Sequence, residues 1–68
     1  MKRFTEKYVR AANQWVKITR DNQEKTFTFA RGYTNEFKAH DIETLTFNWI
    51  ANWREATERA NQMIANYA

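Results

Sequence analysis

Apolar and polar residues alternate in two short runs near the middle of the chain, residues 15–20 and residues 25–30. Four polar, turn-forming residues separate the runs. A period of two indicates a β-strand with one buried face, and two such runs around a short polar turn predict a β-hairpin. Pairing the end of the first run with the start of the second gives two apolar cross-strand pairs, Ile18 with Phe27 and Val16 with Phe29. These four side chains share one face of the hairpin. A slip of the strand pairing by one residue would turn them toward solvent, which disfavours such a slip.

Residues 3–10 predict a further strand. With Val9 opposite Val16, Tyr8 and Arg10 lie on the outer face of the sheet, away from the core. A shift by one residue would turn Tyr8 toward the core instead. A helix is the alternative for this segment, because four apolar residues recur at intervals of four: Phe4, Tyr8, Ala12 and Val16.

From Asp41 onward the apolar residues recur about every 3.6 positions, with neither Gly nor Pro among them. The positions that form this stripe are Ile42, Leu45, Trp49, Trp53, Ala56, Ala60, Met63 and Tyr67. The stripe predicts an amphipathic helix over about residues 42–66, with Asp41 as its N-cap. The predicted fold is therefore α+β: a two- or three-stranded antiparallel sheet packed on one long C-terminal helix, in the order β-β-β-α.

The connection over residues 31–40 is longer than such a unit usually needs. It contains the only glycine of the chain, Gly32, and two aromatic residues, Tyr33 and Phe37. These aromatics either pack as a lid over one end of the core or form a recognition loop. We expect the packed arrangement.

The predicted helix is too long for the predicted sheet. A helix of about 26 residues is about 39 Å long, whereas strands of six or seven residues span about 20–23 Å. Either the flanking segments wrap the surplus apolar surface, or that surface contacts another protein or a second copy of the chain. The side chains expected at such an interface, including a homodimer through the helix, are Phe47, Ile50, Met63, Ile64 and Tyr67.

The composition predicts a single folded domain over residues 1–68. Of its 68 residues, 43% are hydrophobic, which is too many for a disordered chain, and none is Cys, which excludes disulfides and thiolate metal sites. No run reaches the ~18 apolar residues of a membrane span, and the N-terminus lacks the apolar stretch of a signal peptide. We therefore expect a cytoplasmic protein that does not associate with a membrane.

Positive charge is concentrated toward the N-terminus. Residues 1–40 contain nine Lys or Arg against four Asp or Glu, whereas residues 41–68 contain two against four. This asymmetry favours binding of a polyanion by the first part of the chain and disfavours an inhibitor that imitates DNA.

The residue types needed for catalysis are scarce. His40 is the only histidine, and the chain contains neither Ser nor Cys. Glu55 and Glu58 share the polar helix face with Arg54 and Arg59, which predicts ionised, paired carboxylates rather than an acid and a base. The sequence predicts no enzyme, no cofactor and no metal site.

The outer face of the predicted sheet combines aromatic rings, cations and hydroxyl groups. Lys and Arg bind phosphates, Thr donates to phosphate oxygens, and an aromatic ring stacks on an unpaired base. A polar face is also ordinary for a small antiparallel sheet, and only the outward Trp15 favours a function. The expected nucleic-acid contacts are Tyr8, Arg10, Trp15, Lys17, Thr19, Thr26, Thr28 and Arg31.

The run of residues 15–20, its polar turn, residues 25–30 and the following helix resemble the arm-type DNA-binding domains of phage integrases. In that family the sheet face opposite the helix enters the major groove. The resemblance implies DNA contact for the corresponding outer-face residues, Lys17, Thr19, Thr26 and Thr28. The longer connection and longer helix of this chain depart from the family pattern, and integration itself is not implied.

Two functions follow as hypotheses. The first is a small non-enzymatic binding module that holds nucleic acid on its basic sheet face. The alternative is a protein–protein inhibitor of phage or mobile-element origin, an anti-defence or host-takeover factor. Such an inhibitor would block a host or defence protein through the aromatic helix or through residues 31–40.

Overall fold

The computed structural model describes residues 2–67. One antiparallel sheet contains four strands in chain order: β1 (Phe4–Ala11), β2 (Gln14–Asp21), β3 (Thr26–Tyr33) and β4 (Asp41–Thr46). One helix, α1 (Trp53–Asn66), packs against β1, β2 and β3. The α+β class and the C-terminal helix are confirmed, whereas the predicted count of two or three strands is wrong, because the sheet has four.

The N-terminal segment is a strand, as predicted, and its helical alternative is wrong. Val9 stands opposite Val16, which is the register that places Tyr8 and Arg10 on the outer face. Ala12 and Asn13 connect β1 to β2 with positive φ angles of 51° and 60°. Two consecutive residues of positive φ form the turn whose twist matches that of the flanking strands.

The central hairpin keeps its predicted faces but not its predicted pairs. Ile18 stands opposite Phe29, and Arg20 opposite Phe27, so the register differs by two residues. The turn lies farther along because the Asp21 carboxylate accepts from the amides of Gln23 and Glu24, holding them outside the ladder. A shift of two leaves every side chain on its own face.

The predicted helix over residues 42–66 is wrong in its first half. Residues 41–46 form β4, in which half-buried and exposed side chains alternate. Pairing with β3 satisfies backbone groups that a helix here would leave at an open sheet edge. The spacing of Ile42, Leu45 and Trp49 therefore resembles a helical stripe without forming one.

The helix begins after Asn52, not after Asp41. The Asn52 side chain accepts from the amide of Glu55 at 3.0 Å, and the Glu55 carboxylate accepts from the amide of Ala51 at 2.7 Å. These reciprocal bonds satisfy amides that the first helical turn leaves free. At 14 residues the helix is about 21 Å long, shorter than the ~26 Å of an eight-residue strand, so the sheet is long enough to cover it.

The core lies between the sheet and α1, and its buried apolar residues are Val16, Ile18, Phe27, Phe29, Ile50, Ala56, Ala60, Met63 and Ile64. Three residues expected at a partner interface, Ile50, Met63 and Ile64, therefore belong to the core of the chain itself. Phe47 is half-buried against Phe27, with ring centroids 5.3 Å apart. Only Tyr67 of that set is exposed, at 52%. The surplus helix surface that motivated a dimer through the helix is absent from this fold.

Within residues 2–67, no helix combines the length and the apolar character needed to cross a membrane.

Candidate functional site

A cleft of about 470 Å³ lies on the outer face of the sheet. Its floor consists of strand side chains, and its wall consists of the connection between β3 and β4. Four expected contacts, Tyr8, Arg10, Trp15 and Lys17, line this one cleft. Antiparallel pairing brings them together because Tyr8 stands opposite Lys17 and Arg10 opposite Trp15.

Trp15 lies on the outer face, as the alternation predicts, but it is half-buried rather than free. Its indole Nε1 donates to the carbonyl of Tyr33 at 2.9 Å and to that of Glu36 at 3.2 Å. The ring covers Gly32, where an added Cβ would approach its Cζ2 atom to 2.3 Å. The indole therefore anchors the connection across the sheet, and its donor is already used.

β3 extends to Tyr33, so the connection to β4 is shorter than predicted and begins at residue 34. This connection folds over the outer face, whereas Tyr33 lies on the core side of β3, with its ring centre 5.1 Å from the Arg31 guanidinium. Tyr33 is half-buried, with its ring edge-on to His40 at a centroid distance of 5.1 Å. Phe37 lines the cleft with its side chain 105% exposed. The two aromatics therefore differ: Tyr33 packs at one end of the core, as expected, and Phe37 is presented to solvent.

Tyr8 and Arg10 are the side chains that β1 contributes to the floor of the cleft. Tyr8 is 52% exposed, and its ring meets the indole of Trp15 edge-on at 6.4 Å. The Arg10 guanidinium lies 5.0 Å from the centre of the Tyr8 ring, within range of a cation–π interaction. Among residues 2–67, no carboxylate forms an ion pair with Arg10.

Two ion pairs moderate the charge around the cleft. Lys17 Nζ lies 2.6 Å from a carboxylate oxygen of Glu6, and this hydrogen bond raises the pKa of Lys17 above its ordinary value. Glu36 lies in the wall of the cleft, and its carboxylate oxygen Oε2 is 2.5 Å from Nε2 of His40, four residues along the chain. The pair with Glu6 therefore offsets the charge of Lys17, whereas Arg10 has no such partner among the described residues.

The three threonines expected at the site, Thr19, Thr26 and Thr28, belong to outer-face positions of β2 and β3 and are half-buried. They do not line the cleft. The Thr28 hydroxyl is 3.2 Å from that of Thr44, so the two can share a hydrogen bond across β3 and β4. These hydroxyls extend the polar face beyond the cleft.

The structure corrects the expectation for Arg31. Its side chain is on the core side of the sheet, and the residue is only 3% exposed. The guanidinium forms hydrogen bonds with Asp41 and with Gln14 Oε1 and lies 3.8 Å from the ring centre of Tyr67. Arg31 shares the inward parity of Phe27 and Phe29, and therefore it closes one end of the core instead of facing nucleic acid.

Phe37 is the functional candidate that the sequence analysis did not assign to the site. A signal for it exists in Gly32: a glycine inside a strand indicates a close approach, and here it admits the indole that holds the connection over the sheet. That Phe37 then lies at the wall of the cleft, fully exposed, follows from the tertiary fold alone.

No protein-family model, curated protein or solved structure matches this chain. Within the described part of the chain, no group of three or more His, Cys, Asp or Glu side chains could hold a metal ion. The cleft and its side chains are therefore the features from which a function can be proposed.

Proposed function

We propose that this protein binds single-stranded nucleic acid in the outer-face cleft. The observation that carries the proposal is the convergence there of two exposed aromatic rings, Tyr8 and Phe37, with the cations Arg10 and Lys17. Proteins that bind single strands without strong sequence preference combine such stacking surfaces with positive charge along the backbone path.

Each side chain has a role in this proposal. Tyr8 on the floor and Phe37 on the wall each supply a stacking surface for an unpaired base. Arg10 and Lys17 bind the phosphates that connect these bases. Trp15 positions the wall, since its Nε1 donor is held by Tyr33 and Glu36.

The width of the sheet favours a single strand over a duplex. Four strands spaced about 4.8 Å apart place the outermost strand axes about 14 Å apart, whereas the major groove is about 12 Å wide. The connection adds further height to the same face. Insertion of this face into a major groove, as the integrase resemblance implies, is therefore less compatible with the geometry than stacking of unpaired bases.

The test is fluorescence anisotropy with labelled homopolymeric single-stranded DNA and RNA, and with a duplex, at about 50 and 200 mM salt. Phosphate contacts make affinity fall steeply over this range. Tyr8→Ala and Phe37→Ala should each weaken single-strand binding by about five- to 150-fold, because a stacked base contributes about 1–3 kcal/mol. Lys17→Glu should weaken binding and flatten its salt dependence.

Trp49→Ala is the matched control, since Trp49 is an exposed aromatic outside the cleft. It should bind as the unmodified protein does. Absence of binding at 50 mM salt would remove the proposal, as would equal affinities of the Phe37→Ala and Trp49→Ala variants. Tighter binding of the duplex than of the single strand would instead support the integrase-like mode.

The alternative function, an inhibitor of a host or defence protein, is favoured by the same fully exposed Phe37. An apolar side chain presented on a loop can enter a pocket of a partner as an anchor. Such a contact would change little with salt and would not require Lys17. The helix no longer supports this alternative, because its apolar stripe lies in the core.

A further inference from the structure

Strand β1 forms one edge of the sheet along its whole length. It pairs with β2 only, and it runs for eight residues without Pro, Gly or a positive φ angle. All of its residues except Val9 are exposed. An open edge of this kind is a template for pairing with a further strand.

The outward backbone groups of β1 belong to its even-numbered residues. The amide of Asn22 donates to the carbonyl of Arg3 at 2.8 Å, which makes these residues a hydrogen-bonded pair. Such pairs alternate along an antiparallel ladder, so the odd-numbered residues of β1 bond to β2. The residues whose amides and carbonyls face away from β2 are therefore Phe4, Glu6, Tyr8 and Arg10.

We propose that two copies of this chain associate through antiparallel pairing of their β1 edges, centred on Tyr8. The two sheets then become one continuous sheet about a two-fold axis. This inference does not require the proposed nucleic-acid binding, since the open backbone edge of β1 carries it, although Tyr8 and Arg10 also line the cleft.

Charge favours a pairing centred on Tyr8 over those centred on Glu6 and Lys7. A pairing centred on Glu6 or on Lys7 would place like charges directly opposite each other, which is unfavourable. Centring on Tyr8 instead places Glu6 of each copy opposite Arg10 of the other, twice by symmetry. In the single chain Arg10 has no carboxylate partner among the described residues, and this register supplies one.

The same register places no like charges opposite each other on the inner face of the sheet. Lys7 lies 4.6 Å from the ring centre of Trp53 in its own chain and would stand opposite Val9 of the other copy. Glu6 would lie between its own Lys17 and the other copy's Arg10, accepting from both. The two α1 helices would lie on one face of the joined sheet, and the two clefts would lie side by side on the other.

At the opposite edge of the sheet, β4 has no exposed charged residue that would favour one pairing register over another. Its exposed residues are Ile42, Thr44 and Thr46, none of which is charged. Pairing there would not select one register by charge, and it would not involve Glu6 or Arg10. It is therefore distinguished from the β1 dimer by charge reversal.

The experiment is analytical ultracentrifugation of the full chain without nucleic acid, over about 1–200 μM protein. Glu6→Arg and Arg10→Glu each create two repulsive pairs in the proposed interface. Each should raise the dimer Kd at least about tenfold, because every 1.4 kcal/mol changes an equilibrium constant tenfold. The double variant restores opposite charges and should return to within about threefold of the original Kd.

Glu58→Arg, an equal charge reversal on the exposed side of α1, is the matched control and should leave the Kd unchanged. Circular dichroism confirms folding of each variant. A monomer throughout the concentration range overturns the proposal, as does a dimer that neither single variant weakens, including one formed through β4. Failure of this test leaves nucleic-acid binding standing, because Phe37→Ala tests the cleft without altering the β1 edge.

Discussion

At the scale of single residues, Gly32 decides where the connection lies. Its φ angle is not positive, so the backbone conformation alone does not require glycine. Space does, because a Cβ would approach two indole atoms of Trp15 to 2.3 and 2.6 Å and the Lys38 carbonyl oxygen to 2.8 Å. The missing side chain thus lets a large ring lie flat on the sheet and hold the wall of the cleft.

Gly32→Ala should therefore destabilise the protein by about 1–3 kcal/mol, since overpacking displaces the Trp15 ring. Urea denaturation measures the change in the free energy of unfolding. In a Trp15→Phe background the same substitution should cost less, because the overlapping indole atoms are gone. Equal costs in the two backgrounds would contradict the steric explanation.

At the scale of elements, β1 and β2 are joined by a turn whose residues are not the best for its geometry. Ala12 and Asn13 both have positive φ, a conformation that asparagine and glycine adopt more readily than alanine. The strands hold this turn closed through eight paired positions from Phe4–Asp21 to Ala11–Gln14. The turn is therefore a place where stability can be gained without altering a contact of the core.

Replacing Ala12→Asn together with Asn13→Gly should stabilise the protein by about 1 kcal/mol, because this dipeptide relieves the strain of two positive φ angles. The measurement is the midpoint of urea unfolding. Gln23→Gly in the other turn serves as the control and should give no gain, because Gln23 does not have a positive φ angle. An unchanged midpoint in the double variant would contradict the argument.

The largest error of the sequence analysis also lies at this scale. Residues 41–49 contain apolar positions spaced by three and four, but Ile42, Thr44 and Thr46 are also β-branched residues on one side of an alternating segment. The true helix start is readable in the sequence as Asn52 followed three residues later by Glu55. Over so short a segment both periods fit, and pairing with β3 decides between them.

At the scale of the whole molecule, Asp21 joins three segments at one end of the sheet. Its carboxylate accepts two hydrogen bonds from Arg3, which precedes β1, and two from amides of the β2–β3 turn. The hydrogen bond from Arg3 is the main cause that lowers the pKa of Asp21, and the turn amides act in the same direction. Folding therefore favours the ionised form of this carboxylate.

Because the pKa of Asp21 is lower in the folded than in the unfolded protein, its contribution to stability is present above about pH 4 and is lost as the pH falls through the folded pKa. Thermal unfolding measured from about pH 6 to pH 2 should show a fall in the unfolding temperature as this stabilisation is lost. Asp21→Asn should unfold at a lower temperature near pH 6 and lose less on acidification. A variant with the same acid dependence as the unmodified protein would exclude Asp21 as the cause.

The faces of the central strands follow from the sequence alone. Val16, Ile18, Phe27 and Phe29 share the core side because a strand turns successive side chains to opposite faces, whatever register the turn selects. By the same alternation, Trp15 and Lys17 lie on the outer face. Tyr8 and Arg10 join them only in the register that pairs Val9 with Val16, one of two registers that the sequence left open. The sequence therefore predicted their meeting in one place as one of two alternatives, and the pairing of β1 with β2 decided it.

Only the tertiary structure decided which elements residues 31–52 form and where they lie. Local spacing did not distinguish β4 from a helical turn, and the open edge of β3 made the choice by offering hydrogen bonds that local sequence does not encode. The face on which Arg31 lies was also undecided by the sequence. It follows only once β3 is known to extend to Tyr33, because Arg31 is then a strand residue. Likewise, Phe37 reaches the cleft because Trp15 and Gly32, distant in sequence, meet across the sheet. Periodicity determines a face, but contacts between distant segments determine what covers it.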